Sequence, residues 1–206
     1  SETFEVDSVS YKNNLPAGEA GSDKLDLKGI ALEDIAIDFT SRDVVVKNIE
    51  EVAKLGINLV VGTTGWYDQL DTVKNIVEKN KIGLIYSPNF SVGVNIFFKM
   101  MDEAAKLFAK FGEYDVYGLE VHHKAKLDSP SGTALKISSK IKNLNFNAVR
   151  AGSNPGFHEV VFDSSADKIT FSHQAYDRVG FAKGALRAAE MIKSKKGLYT
   201  FEEMFK

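Results

Sequence analysis

The chain has 206 residues, 44% of them hydrophobic, which suits one large or two small domains with proper cores. Lys and Arg number 26 against 28 Asp and Glu, a formal net charge of −2, so no basic field advertises a nucleic acid partner. Cysteine is absent and no apolar run approaches the roughly 20 residues that span a bilayer, which argues against disulfides and membrane insertion. Ser1–Lys12 carries no apolar core of a signal peptide, and cytoplasm is the expected compartment.

In chain order, residues 4–11 alternate as a strand, and 34–39, 57–61 and 82–86 are apolar runs with helical patterns at 42–55 and 68–80 between them. Alternating strand and helix implies parallel strands joined by crossover helices, and such sheets bind ligands at the carboxyl ends of their strands. Gly62-Thr-Thr-Gly65 and Ser87-Pro-Asn-Phe90 fall at two such ends, although Gly-Thr-Thr-Gly alone reads as a plain strand-to-helix turn. Beyond Asn89, the residues Val92, Ile96, Phe97, Met100, Ala104, Leu107, Phe108 and Phe111 recur at helical spacing, as in a long amphipathic helix. Strands at 114–122, 146–150, 157–162 and 168–175 then suit an antiparallel or mixed sheet. A helix at 179–194, a stop at Gly197 and a short helical tail at Thr200–Lys206 complete the chain. The expected fold is α/β, with residues 1–91 and 178–206 in one domain and an α+β domain at 92–177.

The run from Glu120 to Ala134 concentrates the chemistry. His122 and His123 stand where a strand ends, and Pro130 followed by Ser131-Gly132-Thr133 opens a helix. Free backbone N–H groups at a helix start suit a carboxylate or phosphate, Lys126 adds a positive charge, and His122 and Lys126 are available as proton donors. Taken singly, a strand-end histidine is more often structural or solvated, and Ser-Pro-Ser-Gly is usually a helix cap. No metal is expected, because His122 and His123 are neighbours on a strand and point to opposite faces, and no cysteine completes a zinc set.

This run is very similar to the signature of the dihydrodipicolinate reductases. Ile37-Asp-Phe-Thr40, Gly62-Thr-Thr-Gly65, Pro88-Asn-Phe-Ser-Val-Gly-Val-Asn95 and Arg178-Val-Gly-Phe-Ala-Lys-Gly-Ala185 agree with the family in order and spacing, so the resemblance covers residues 36–185. It implies a dinucleotide-binding parallel-sheet domain, a substrate and oligomerisation domain with a mixed sheet, and a homotetramer. It also implies reduction of 4-hydroxy-tetrahydrodipicolinate by NADPH or NADH in lysine and diaminopimelate synthesis. Carried over by position, His122 and Lys126 are the proton donors, while His123, Ser131, Gly132 and Thr133 hold the dicarboxylate substrate. Gly62, Thr63, Thr64, Ser87, Pro88, Asn89 and Phe90 would meet the nicotinamide half of the cofactor. Lys12, at the end of the 4–11 strand, reads either as a partner for the 2′-phosphate of NADPH or as a solvated loop lysine.

The sequence departs from the family at Ala125, often a further histidine there. It also shows no strand, glycine turn and helix ahead of residue 4, so about 30 residues of a dinucleotide fold are missing and an N-terminally incomplete chain is expected. Two rival readings follow: an inactive truncated form that keeps the oligomerising domain, and another nicotinamide oxidoreductase acting on an amino or keto acid. Against the second stands the pairing of His-His-x-x-Lys with Ser-Gly-Thr. Asp128 reads as a turn residue, His158 and His173 as core histidines, and Arg178 as a hinge residue that reaches the site or bridges the domains.

Overall fold

The computed structural model describes residues 35–205; the strand expected at 4–11 and Lys12 lie outside them. The described chain runs β1 (Ile35–Asp38), α1 (Arg42–Lys54), β2 (Asn58–Val61), α2 (Leu70–Asn80), β3 (Gly83–Tyr86), α3 (Val92–Phe108) and β4 (Asp115–His122). It continues through α4 (Gly132–Ser138), β5 (Phe146–Arg150), β6 (Phe157–Asp163), β7 (Lys168–Gln174), α5 (Val179–Ile192) and β8 (Gly197–Thr200). Two four-stranded sheets result, ordered β1-β2-β3-β8 and β5-β4-β6-β7.

The first sheet is parallel throughout. Val45, Ile49 and Val52 recur every third or fourth residue on α1 and pack with Val73 and Val77 of α2 over Leu59, Val61 and Leu84. Val60 and Ile85 face the other way, beneath Ala185, Ala188 and Ile192 of α5. Burial on both faces explains why these strands read as continuous apolar runs without alternation. Buried Asn58 locks the layers, donating to the Ile192 carbonyl at 2.8 Å and accepting the Gly83 N–H at 2.8 Å.

The carboxyl-terminal tail differs from expectation. Helix α5 ends at Ile192, and Gly197 opens a strand instead of closing a helix, with φ +113° and β8 pairing parallel with β3. A four-residue strand is too short to show a period, so pairing decides its state. Phe201 then starts a short 3-10 turn to Phe205 and packs on Phe90 with ring centroids 5.0 Å apart.

Helix α3 begins where expected and buries part of the expected stripe, Phe97 and Ala104 with Val92 and Phe108 packed at its edges, but not all of it. Ser91 caps it by accepting the Val94 N–H, and Val94, Phe97, Phe98, Met101 and Ala104 face inward. Ile96, Met100 and Leu107 are roughly half exposed and Phe111 lies beyond the helix end. The apolar residues of this segment occupy more than one face, so spacing alone could not choose which side the second sheet would cover.

In that sheet β4 pairs parallel with β5 and antiparallel with β6, which pairs antiparallel with β7. Helices α3 and α4 cover one face, where Phe162 stacks on Phe108 at 3.9 Å among Val160, Met101 and Ile137. On the opposite face Tyr117 and Val149 are 40% and 42% exposed. No helix among the described residues is long and apolar enough to cross a membrane.

Candidate active site

Strand β4 alternates in burial so that Gly118, Glu120 and His122 point inward on one face. The loop that follows is pinned to the end of β5: the Ala151 N–H donates to the His122 carbonyl at 2.9 Å, and the Lys124 N–H to the Gly152 carbonyl at 3.2 Å. Ser131 caps α4 by accepting the Ala134 N–H at 3.2 Å. Its own N–H is spent on Glu120, 3.0 Å from Oε1 and 3.2 Å from Oε2.

Glu120 is fully buried at the middle of this arrangement. Arg150 Nη2 donates to Oε1 at 2.6 Å, while Oε2 lies 3.7 Å from His122 Nδ1 and 3.5 Å from His158 Nε2. The same guanidinium nitrogen reaches the Asp128 carbonyl at 2.7 Å, so Arg150 holds the loop as well as the carboxylate. Burial pushes the Glu120 carboxyl up, but the hydrogen bonds from Ser131 and Arg150 outweigh it, and the group stays below the ordinary carboxylate range.

The histidines respond to the same surroundings. Burial lowers the His122 pKa; Glu120 opposes that, and Lys126 and Arg150 reinforce it. His122 Nδ1 is buried without a hydrogen-bond partner among the described residues, whereas Nε2 lies beside Gly156, where an added Cβ would come within 3.3 Å. His158, also buried, stands opposite Glu120 in register, with Nε2 3.1 Å from Ser131 Oγ. Burial, followed by the neighbouring His122, depresses its pKa to about 4.

Not every expected site residue turns to the same place. His122 is buried in the wall and His123 is half-buried beside it. Lys126 sits at the rim and pairs with the exposed Asp128 carboxylate at 2.7 Å, so Asp128 partners the lysine as well as shaping the turn. The Lys126 hydrogen bond is the main reason the Asp128 carboxyl lies below its usual range. Ser131 is committed inward by both its N–H and its hydroxyl, whereas Gly132 is exposed, its backbone helping to hold the Asp128 carboxyl low, and Thr133 is half-buried. His158 is both core and site wall. Half-buried His173 instead lines a separate groove of about 370 Å³ with Gly93, Phe97 and Phe171. Arg178 is exposed and has no ion-pair partner among the described residues.

Glu120, His122 and His158 bring candidate ligand atoms within 4.8 Å of one another, a cluster that adjacency of His122 and His123 could not reveal. The Arg150 guanidinium already neutralises the carboxylate, so the arrangement suits a hydrogen-bonded network better than a dication.

The turns expected to meet a nucleotide converge at the carboxyl ends of parallel strands, with Asp38, Val61 and Tyr86 in register. Buried Asp38 organises them: Oδ1 accepts from the Thr40 N–H, the Thr40 hydroxyl and, at 2.7 Å, the Thr63 hydroxyl, while Oδ2 accepts from Asn48 at 2.9 Å. Gly62 lies tight against Phe39: a Cβ there would fall 2.0 Å from the ring, so a larger residue would have to displace it. Ser87 donates its hydroxyl to the Asn89 carbonyl at 2.8 Å, which shapes the second turn. Thr64 and Pro88 are exposed, and Gly62 and Asn89 are half-buried. Thr63 and Ser87 are buried and shape their turns, and Phe90 is core, edge-on to Phe39 at 6.0 Å. Exposed Thr64 and Pro88 beside the half-exposed Phe39 ring thus stand at the carboxyl ends of the parallel strands, where sheets of this kind take their ligands.

Sequence reasoning missed Glu120, Arg150 and Asp38. Glu120 carries a readable signal, since two residues from His122 on a strand means the same face. Arg150 needed the β4–β5 register, which no local pattern contains.

Known proteins match both halves of the chain. Residues 93–205 match the family model described as dihydrodipicolinate reductase, C-terminus, and residues 9–90 match the model described as dihydrodipicolinate reductase, N-terminus. The 4-hydroxy-tetrahydrodipicolinate reductase of Methanosarcina acetivorans is 38% identical over 193 residues, covering 83% of this chain and 72% of the relative. That of Christiangramia forsetii is 38% identical over 188 residues, covering 83% of this chain and 79% of the relative. Among solved structures, a dipicolinate-bound dihydrodipicolinate reductase from Paenisporosarcina sp. TG-14 superposes with a TM-score of 0.69 at 25% identity, covering 83% of this chain and 73% of that one.

Proposed function

The chain belongs to the dihydrodipicolinate reductase family, and from that premise we propose that it reduces 4-hydroxy-tetrahydrodipicolinate to tetrahydrodipicolinate at the expense of NADH or NADPH. One observation carries the assignment of the site: a single buried carboxylate, Glu120, holds the start of α4 through the Ser131 N–H and lies 3.7 Å from His122, beside a rim lysine. A proton donor, a cation and a helix start are thus gathered along one strand-to-helix loop.

When bound, the nicotinamide cofactor supplies the hydride. Phe39, Gly62, Thr64, Pro88 and Asn89 are the groups that would hold its nicotinamide end, with Asp38, Thr63 and Ser87 fixing their backbone. The substrate is a cyclic imine dicarboxylate, formed by loss of water, that takes the hydride at C4 and then a proton from the protein. Gly132 and Thr133 at the helix start, with His123, would grip one carboxylate. Lys126, released from Asp128, would meet the developing negative charge, and His122 would deliver the proton from Nε2.

Assembly belongs to the same reading. The second-sheet face opposite α3 and α4 carries Tyr117 and Val149 exposed beside Leu119, Val121 and Phe157, with Asn147 and Glu159 in register with Leu119; this partly apolar face supports self-association, for which the family resemblance implies a homotetramer. Sedimentation of the purified protein tests it.

The function is tested by following NADH and NADPH oxidation with 4-hydroxy-tetrahydrodipicolinate and with a panel of amino and keto acids. Turnover confined to the dicarboxylate imine is expected. Preferential turnover of a keto or amino acid would overturn the assignment.

A further inference from the structure

We infer that Glu120 is a positioning residue for His122, holding the imidazole with Nδ1 turned inward so that Nε2 is presented at the Gly156 edge of the site. This rests on His122 being the proton donor. Glu120 has the placement for the task. It is fully buried, two residues before His122 on the same face of β4, and its Oε2 lies 3.7 Å from a buried ring nitrogen that makes no hydrogen bond among the described residues.

The carboxylate is itself held still. Arg150 from β5 and the Ser131 N–H from the start of α4 grip it from two other elements, and His158 from β6 closes the remaining side. An anion fixed in this way favours the tautomer with hydrogen on Nδ1, which leaves Nε2 as the working nitrogen. Once His122 is protonated, the same carboxylate stabilises the imidazolium. One group therefore aligns the acid and, through Ser131, the helix start that receives the substrate.

The charged and titratable groups facing His122 are Glu120 on its own strand, Lys126 and Asp128 from the following loop, Arg150 from β5 and His158 from β6. Among these, Glu120 is the buried group whose charge favours the imidazolium, and Arg150 is the cation that both repels it and occupies Glu120. Removing either partner should therefore move His122 in opposite directions.

The test compares Glu120→Gln and Arg150→Met in the reductase by nitrogen-15 NMR titration of His122, assigned with His122→Gln, together with the pH profile of kcat/KM. Glu120→Gln keeps the shape but removes the charge. Its His122 midpoint should fall, and kcat/KM should drop about tenfold at pH 8 with a smaller loss towards pH 6 and unchanged KM for the cofactor. In Arg150→Met the midpoint should rise. Simple destabilisation cannot produce opposite shifts, and should Glu120→Gln fold poorly, the upward shift in Arg150→Met still decides. An unchanged His122 midpoint and tautomer in a folded variant overturns the inference. Because the NMR titration does not depend on turnover, a His122 that responds in a protein without reductase activity would refute the proposed reaction and leave the role of Glu120 standing.

Discussion

Ser131 gives its backbone N–H to the Glu120 carboxylate, 3.0 Å away, and thereby fastens the first turn of α4 to the middle of β4. Residues that the chain separates by a long loop become one rigid unit. A buried charge-assisted hydrogen bond of this kind contributes about 1.5–3 kcal/mol, but its geometric effect matters more here. It fixes the spacing between the histidine at the strand end and the helix start that faces the solvent. The loop between them, which carries Lys126, is held in turn by Arg150 through the Asp128 carbonyl at 2.7 Å and by the Lys124 N–H on the Gly152 carbonyl.

If His122 and Lys126 deliver the proton and meet the developing charge, His122→Gln and Lys126→Ala should each slow turnover by about 100-fold or more, the usual scale for a lost acid–base group. Cofactor affinity should hardly change, because the strand-end turns that would hold it belong to the other sheet. Steady-state kinetics with a cofactor titration separates the two effects. Near-normal turnover in either variant removes that residue from the chemistry.

Gly132→Val isolates the anion site. A Cβ at Gly132 meets nothing within 4 Å among the described residues, so the substitution should leave the melting temperature nearly unchanged. It should nevertheless obstruct an incoming carboxylate and weaken inhibition by pyridine-2,6-dicarboxylate by about tenfold, roughly one good hydrogen bond to a charged group. Unchanged inhibition would place the dicarboxylate elsewhere.

Much of this was legible in the sequence because it rests on short-range patterns. The parallel strands showed as apolar runs since both faces are covered, and the caps at Ser91 and Ser131 stand directly before their helices. What the sequence hid depends on register and on competition between faces. His158 read as a core histidine, yet pairing with Glu120 across β4 and β6 also makes it part of the site wall. Phe90 read as a cofactor contact, whereas its ring is buried against Phe201 from the far end of the chain. The strand at Gly197–Thr200 escaped notice because its order comes from β3, not from its own composition.

His158 makes stability depend on pH. Its pKa falls from 6.5 to about 4 on folding, mainly through burial, so the unfolded chain binds the proton more readily. The contribution is complete above about pH 6.5, the unfolded value, and is lost as pH falls through about 4. The span corresponds to an upper limit of about 3 kcal/mol. Denaturant unfolding between pH 7 and pH 4 should show this decline, and His158→Gln should flatten it. An equally steep decline in the variant would assign the acid sensitivity to other groups.

Phe39 and Gly62 offer a test of the cofactor mouth. A Cβ at Gly62 would stand 2.0 Å from the Phe39 ring, closer than any real contact, so Gly62→Ala must displace that ring. Phe39 is 49% exposed and has room to move outward, which should limit the stability loss to about 1–3 kcal/mol, the usual cost of overpacking. The effect on binding should be larger, because the displaced ring would lie across the turn proposed to receive the nicotinamide. NADPH affinity measured by calorimetry should therefore fall about tenfold, or about 1.4 kcal/mol. In the double variant Phe39→Ala/Gly62→Ala the clash disappears, and both stability and affinity should recover to those of Phe39→Ala alone. Full affinity in Gly62→Ala would mean that the nicotinamide does not approach this turn.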